Sequence, residues 1–248
     1  MKYLLAFLTV IILSPVWAQD IDGAWKLTHE NGKAVTDKEY IKIYQDGYFS
    51  FGARELGGNK FLGAGGGEFS RSGSDYTETL DFYTFDKDQI GTKNNYSMDF
   101  AENKLVISAR IKGKDLIEIW EKISDRDDAI NGTWVITGRK SDGEISGMTP
   151  GARRTVKILG GGRFQWIAFN SETKEFSGTG GGTYTAEDGK YTENITFFSR
   201  DDSRVGASLK FDFDVIDKHW HHSGMSSTGN PIYEIWSSYQ EAYLSKKQ

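Results

Sequence analysis

The sequence predicts an all-β protein made of two tandem eight-stranded up-and-down barrels. The first observation is a long internal repeat, since residues 21–28 read IDGAWKLT and residues 130–137 read INGTWVIT. The second is a series of short strand-like runs separated by turn signals, with no stretch of 12 residues that shows helical periodicity. The third is composition: 29 Gly, 3 Pro and 14% aromatic residues suit twisted strands and tight turns.

The repeat continues along the chain at a nearly constant spacing. The offset is 109 at the first pair, 115 through the middle and 116 at the end. A period this long indicates a domain duplication, because solenoid repeats run only about 20–50 residues. The matched segments include Ile41-Lys42-Ile43 with Val156-Lys157-Ile158, Gly65-Gly66-Gly67 with Gly180-Gly181-Gly182, and Glu118-Ile119-Trp120 with Glu234-Ile235-Trp236.

Each copy contains eight strand-like runs, which is enough to close a small barrel around one ligand. We predict barrel 1 over residues 19–123 and barrel 2 over residues 130–240. Because the linker is short, the barrels are expected to pack together and leave a groove between them, a favoured place for ligands. The runs of copy one are 22–28, 39–44, 47–53, 60–70, 75–85, 94–100, 104–111 and 115–122.

Residues 1–18 have the features of a secretory signal peptide. Lys2 supplies the positive start, residues 4–13 the apolar run, and Val16-x-Ala18 the small-residue cleavage site. The run is too short to span a bilayer and no second one follows, so we predict a periplasmic or secreted protein without a transmembrane anchor. The chain has no Cys, and packing alone is therefore expected to stabilise each barrel.

The charge balance narrows the class of partner. The chain has 30 basic and 35 acidic residues, a net charge of −5, which argues against nucleic acid. It leaves open an anionic small molecule or oligosaccharide, because a local basic pocket matters more than the total charge. The composition does not identify a cofactor.

The opening Gly-x-Trp of each copy, Gly23-Ala24-Trp25 and Gly132-Thr133-Trp134, resembles the first-strand motif of lipocalins. With eight strands, a glycine-rich fourth strand and a closing Glu-Ile-Trp, residues 21–122 and 130–239 resemble the lipocalin-like domains of secreted bacterial proteins. The resemblance implies that the Trp closes one end of each barrel. It also implies an activity, dehydration of a terminal uronic acid during the breakdown of algal polysaccharide.

A glutamate in the fifth strand of each copy is the first candidate. Tyr191, Glu193, Ile195 and Phe197 share one face, because strand side chains alternate. A glutamate among apolar neighbours should point inward, where it must be paired, hydrogen-bonded or protonated. It is either a structural Glu held by a Tyr hydroxyl or an Arg, or a ligand-facing acid. Copy one repeats the pattern with Tyr76, Glu78, Leu80 and Phe82.

One strand of copy two contains three histidines, and the matching strand of copy one contains none. His219 and His221 fall on one strand face, and Trp220 and His222 on the other. His-x-His can bind a metal or supply a base near neutral pH, but surface histidines would look the same. No third ligand is marked, so we predict no metal site.

Copy two also concentrates basic and aromatic residues. Arg153 and Arg154, near Arg139, could recognise a carboxylate, although solvated strand ends have the same composition. Extra aromatic rings can stack on sugars, although most rings in small barrels are core. These rings are Trp166, Trp220 and Tyr233.

We therefore predict an enzyme that acts on acidic oligosaccharides by β-elimination, with its site in copy two. Arg153 or Arg154 would stabilise the developing charge. His221, His219 or Tyr191 would act as the base, and Glu193 or Tyr233 as the acid. The alternative is a non-catalytic binding module, which the presence of Tyr-Thr-Glu in both copies favours.

Overall fold

The computed structural model describes residues 21–141, 143–226 and 228–244, which form two closed antiparallel barrels. The signal peptide predicted for residues 1–18 lies outside these ranges. In barrel 1 eight wall strands pair in chain order, and the last wall strand returns to pair with the first. Its strands are β1 (Gly23–Glu30), β2 (Lys33–Ala34), β3 (Lys38–Gln45), β4 (Tyr48–Glu55), β5 (Phe61–Ser72), β6 (Asp75–Tyr83), β7 (Lys93–Ala101), β8 (Lys104–Ile111) and β9 (Lys114–Ser124).

Barrel 2 repeats this order, with β18 closing onto β10. In both barrels eight strands form the wall, while the short β2 and β11 pair only with the end of β1 and β10. The sequence did not predict these two short strands. The strands of barrel 2 are β10 (Gly132–Ser141), β11 (Glu144–Gly147), β12 (Arg153–Gly160), β13 (Arg163–Asn170), β14 (Glu175–Glu187), β15 (Lys190–Phe198), β16 (Ser208–Ile216), β17 (His219–Met225) and β18 (Pro231–Ser238).

Helical structure is confined to single turns in the described residues. Two 3-10 turns, Lys87–Gln89 and Asp202–Arg204, occupy equivalent loops of the two barrels. A π-helical turn, Gln240–Leu244, follows the last strand. No helix among the described residues is long and apolar enough to cross a membrane.

One end of each barrel is filled by the tryptophan of its first strand. Trp25 is buried and donates from Nε1 to the Ile21 carbonyl at 2.8 Å. Trp134 does the same to Ile130 at 3.0 Å. This position agrees with the resemblance stated above, and two closed eight-stranded barrels in tandem fit a lipocalin-like fold.

A β-bulge in the fifth wall strand changes which of its side chains point into the barrel. In β15 Ile195 pairs with Gly182, but Phe197 pairs with Gly181, so one extra residue lies between them. Such a bulge reverses the alternation beyond it. The expectation that Phe197 faces inward with Glu193 is therefore wrong: its ring stacks on Phe61 of barrel 1. The matching bulge in β6 has the same effect on Phe82.

The glycine triplets lie where neighbouring groups approach the backbone. A Cβ on Gly180 would lie 2.8 Å from Nε1 of Trp166, and one on Gly65 would lie 2.6 Å from the Phe51 ring. These distances are too short for a real side chain. The triplets therefore allow aromatic rings of the adjacent strand to pack over β5 and β14.

The two barrels pack through a continuous apolar cluster. Ile43 of β3 and Ile158 of β12 both belong to it, and a buried hydrogen bond of 2.8 Å joins Ser50 Oγ to Gln165 Oε1. These side chains fill the groove that the sequence predicted between the barrels. The cavity left beside them measures about 10 Å³, about the least that holds one water molecule.

Candidate functional site

Each barrel contains a cavity, and the two cavities are lined by residues at equivalent positions. The cavity of barrel 1 measures about 660 Å³ and that of barrel 2 about 330 Å³. Both volumes fall in the range of about 300–1,000 Å³ that is usual for small-molecule sites. The matching wall residues include Lys42 with Lys157, Phe51 with Trp166, Glu78 with Glu193, Glu118 with Glu234 and Trp120 with Trp236.

A buried lysine–glutamate pair lies in each cavity. In barrel 2, Lys157 Nζ donates to Glu193 Oε1 at 2.8 Å, and the Tyr191 hydroxyl donates to the same oxygen at 2.9 Å. The lysine also lies 5.1 Å from the centroid of the Trp236 ring. The expectation that Glu193 points inward is confirmed. Its partners are a tyrosine hydroxyl and a lysine, rather than an arginine.

Barrel 1 contains the same network. Lys42 donates to Glu78 at 2.8 Å, and the Tyr76 hydroxyl donates at 2.7 Å. Burial alone lowers the pKa of Lys42, but the adjacent Glu78 carboxylate outweighs this effect and raises it above the usual value. Burial also raises the pKa of Tyr191 well above its usual value. At neutral pH Lys42 is therefore charged and Tyr191 is neutral.

Barrel 2 places a histidine beside a second glutamate. His222 on β17 pairs with Glu234 on β18, and Nδ1 lies 3.6 Å from Oε2. This distance is too long for a hydrogen bond. Within the described part of the chain, neither ring nitrogen of His222 has a hydrogen-bond partner. Both nitrogens are also buried, so His222 is an unpaired polar group at the cavity wall.

The protonation states of this pair follow from its surroundings. Burial lowers the pKa of His222, so the imidazole is neutral at neutral pH. Burial alone raises the pKa of Glu234, but His222 and Lys157 outweigh it and lower the pKa below the usual value. Glu234 is therefore an ionised carboxylate next to a neutral base. That combination orients an imidazole and stabilises its protonated form once it accepts a proton.

The mouth of the barrel 2 cavity carries cations. Arg139 lies opposite Glu234 in the β10–β18 pair, with Nη2 3.3 Å from Oε1, and its side chain is 54% exposed. Arg200 also lines the cavity and donates from Nε to the Ser177 carbonyl at 2.7 Å. Together with Lys157, these groups give the cavity wall three cations against the two carboxylates Glu193 and Glu234. The arrangement favours an anionic ligand.

Barrel 1 differs at these same wall positions. Ile107 pairs with Glu118 where His222 pairs with Glu234. Glu30 pairs with Glu118 where Arg139 pairs with Glu234. Without those neighbours, burial raises the pKa of Glu118 despite the nearby Lys42. The two equivalent glutamates therefore shift in opposite directions.

The structure brings four of the predicted site residues to the barrel 2 cavity or directly behind it. Glu193 and Trp166 line the cavity. Tyr191 is fully buried behind Glu193, and Trp220 packs edge-on against Tyr191 with ring centroids 5.2 Å apart. The structure therefore brings these four side chains together on one side of barrel 2.

The other predicted residues lie elsewhere. His219 bonds to Ser237 at 2.9 Å and His221 to Tyr233 at 2.8 Å, and none of these residues lines the cavity. Arg153 is exposed at the start of β12. In residues 21–141, 143–226 and 228–244, no three His, Asp or Glu side chains gather as metal ligands would.

Arg154 lies in the contact between the barrels. Its Nη1 bonds to Asp81 at 3.1 Å and to the Tyr239 hydroxyl at 2.8 Å, and its guanidinium lies 4.1 Å from the Tyr243 ring centroid. Burial raises the pKa of Asp81, although Arg154 opposes this effect. Arg154 therefore ties barrel 2 to barrel 1 and faces neither cavity.

Sequence reasoning missed four residues of this site: Lys157, His222, Glu234 and Arg200. Two of them had a signal. Lys157 lies between Val156 and Ile158, so strand alternation puts it on the opposite face from these two apolar residues. Lys42 repeats the pattern in copy one. His222 shares a strand face with Trp220, a large apolar residue that marks the inner side.

Comparisons with known proteins add no relative. A scan against protein-family models matched no family, and a search of curated proteins gave no significant match. The description of the fold as lipocalin-like therefore rests on the two closed barrels alone.

Proposed function

We propose that this protein is an exported enzyme that acts on acidic oligosaccharides by β-elimination, with its active site in the cavity of barrel 2. The simplest such reaction is the dehydration of a terminal uronate. The observation that carries the proposal is the neutral, buried His222 with neither ring nitrogen hydrogen-bonded, at the wall of a cavity next to an ionised Glu234 and beneath a cationic mouth.

The cavity suits the terminal sugar of a chain. Its volume of about 330 Å³ lies near the lower end of the range for small-molecule sites. One ring can therefore enter while the remaining sugars stay outside. Trp166 and Phe211 on the wall offer apolar faces to that ring. Arg139 and Arg200 at the mouth would bind the carboxylate, and their positive charge would stabilise the enolate that forms from it.

The reaction then needs one proton removed and one supplied. His222 takes the proton from the carbon next to the carboxylate, and Glu234 stabilises the imidazolium that results. A double bond forms to the adjacent carbon as its C–O bond breaks. The departing hydroxyl receives a proton from the network of Lys157, Glu193 and Tyr191 and leaves as water. His222 then gives up its proton and the network takes one back, with solvent water carrying the proton between them, which restores the starting state.

The second candidate is a binding protein without catalysis. The observation that favours it is the Lys–Glu–Tyr network in both barrels, because barrel 1 has this network without a histidine at position 107. In this case the cations of barrel 2 hold an acidic sugar that is not converted.

The test mixes the protein lacking residues 1–18 with uronate-terminated oligosaccharides and follows product mass and ultraviolet absorbance. Loss of one water with a rise in absorbance supports the dehydratase. Cleavage into two sugars identifies a lyase instead. A ligand-dependent rise in melting temperature with no change in mass would make it a binding protein.

A matched variant locates the reaction. Arg139→Glu gives barrel 2 the residue that barrel 1 has at the equivalent position, Glu30. We expect this change to raise the KM for uronates, because it replaces a carboxylate-binding cation with an anion. Unchanged kinetics would show that the substrate does not bind in this cavity.

A further inference from the structure

Barrel 1 has the larger cavity and a continuous aromatic wall. Tyr40 stacks on Phe51 at an interplanar angle of 27°, and Phe51 stacks on Phe85 at 15°. Phe85 is 49% exposed at the mouth, so the wall runs from the interior to solvent. The faces of aromatic rings carry negative partial charge, so they favour the apolar face of a sugar ring over an anion.

The charged groups of this cavity are matched with one another. Lys42 is paired with Glu78 at 2.8 Å, and Lys38 with Glu30 at 3.3 Å. Glu118 accepts a hydrogen bond from Trp120 Nε1 at 2.9 Å. The wall therefore has three carboxylates against the three lysines Lys38, Lys42 and Lys93, where the wall of barrel 2 has an excess of one cation.

Three basic groups of the barrel 2 cavity are replaced in barrel 1, while Lys157 is kept as Lys42. Glu30 stands in place of Arg139, and Ile107 in place of His222, as the strand pairings show. Phe85 stands at the repeat position of Arg200, 115 residues earlier. An anion entering barrel 1 would meet Glu30 and Glu118 without an arginine to compensate them.

The cavity is not suited to a purely apolar ligand either. The buried charges of Lys42 and Glu78 lie on its wall, and burying them beneath a hydrocarbon without hydrogen bonds would be unfavourable. Polar groups also continue toward the mouth, where the amides of Gln89, Asn94 and Asn95 line the cavity. Amides donate and accept neutral hydrogen bonds, as hydroxyl groups require.

We infer that the barrel 1 cavity is a second, separate binding site that takes an uncharged sugar ring, with one face of the ring stacked on the wall of Tyr40, Phe51 and Phe85. The hydroxyl groups of the ring bond to the amides and to the Lys42–Glu78 pair. This site is independent of the reaction proposed for barrel 2, because the two cavities share no residue.

The test is calorimetric titration of the protein lacking residues 1–18 with three probes: neutral mono- and disaccharides, free uronates, and a medium-chain fatty acid. Phe85→Ala should weaken binding of the neutral sugar about tenfold, the loss of roughly one aromatic contact. Because Phe85 is half-exposed, this variant should keep its melting temperature. It should also keep any turnover of uronates. Trp166→Ala, which removes an aromatic ring from the wall of barrel 2, should leave binding of the neutral sugar unchanged.

A second variant tests the charge argument directly. Glu30→Arg with Ile107→His gives barrel 1 the equivalents of Arg139 and His222 and should raise its affinity for uronates at least tenfold. The inference is overturned if no neutral sugar binds, if Trp166→Ala removes that binding, or if the fatty acid binds and Phe85→Ala weakens it. It is also overturned if the double variant folds and gains no affinity for uronates. None of these results bears on turnover in barrel 2.

Discussion

Nζ of Lys157 lies 2.8 Å from Oε1 of Glu193 in the interior of barrel 2, where both residues are about 5% exposed or less. Two charges buried this deeply are costly to remove from water, and their mutual attraction offsets that cost only while both are present. The same pair recurs in barrel 1 as Lys42 and Glu78.

Removing one member of the pair should therefore cost more than removing both. We expect Lys157→Met to lower the free energy of unfolding by about 3–5 kcal/mol, because an ionised Glu193 would be left without its cation. Adding Glu193→Gln should recover much of this loss. Urea denaturation of the two variants measures the difference, and Lys42→Met in barrel 1 serves as the parallel case. A double variant as unstable as the single one would contradict this account.

The equivalent residues Glu234 and Glu118 should affect the stability of the protein in opposite ways as the pH changes. The pKa of Glu234 is lowered by folding, so its stabilisation is present above the unfolded value of about 4.3 and is lost as the pH falls through the folded pKa. The pKa of Glu118 is raised by folding, so its ionisation lowers stability as the pH rises from about 4.3 through the folded pKa.

The measurement is the melting temperature from pH 3 to 8 of two glutamine variants. At neutral pH, Glu234→Gln should melt below the unchanged protein and Glu118→Gln above it. Both differences should shrink toward pH 3. Shifts of the same sign in the two variants would show that the neighbours Arg139 and His222 do not set these pKa values.

The base can be assigned by comparing two neighbouring histidines. His222→Ile gives barrel 2 the residue that barrel 1 has at this position, Ile107. We expect kcat/KM on a uronate substrate to fall about 10²- to 10⁴-fold, the usual contribution of a general base. Stability should hold, because an unpaired buried imidazole is replaced by an apolar side chain. His221→Ala should keep full activity. If His221→Ala instead loses activity and His222→Ile keeps it, His221 is the base.

Arg154 should matter for stability rather than for turnover. Its hydrogen bonds to Asp81 and Tyr239 join the two barrels. We expect Arg154→Ala to lower the free energy of unfolding by about 1–3 kcal/mol, as for the loss of charged hydrogen bonds. Steady-state kinetics and denaturation of the same preparation separate the two effects. Lost turnover at unchanged stability would support the substrate-binding role predicted from the sequence.

Much of the fold was readable from the sequence because turns and alternation are local. The eight runs of copy one agree with the eight wall strands of barrel 1 to within about two residues at most ends. The inward glutamates were also predictable, since Glu193 lies between Tyr191 and Ile195 on one face. The bulge at Thr196 was not, because it depends on how β15 pairs with β14.

The site was harder to predict because it depends on contacts between distant strands. Alternation separates His222 from His221, but only closure of the barrel selects the inner face. The arginines show the same limit: Arg153, Arg154 and Arg139 are all basic residues near strand ends, and tertiary packing sends only Arg139 to the cavity. Sequence alone gives the type of side chain but not which cavity or contact it reaches.

The hydrogen bond between Ser50 and Gln165 has a consequence for assembly. These residues are 115 positions apart, so they occupy the same place in the two copies, as do Ile43 and Ile158 in the cluster around them. Contact between equivalent positions is the mark of a two-fold axis, the arrangement of a symmetric homodimer. Here one chain carries both halves, so the effective concentration of one half at the other does not depend on how dilute the protein is. The pairing of the halves should therefore survive dilution that would separate a dimer of single barrels.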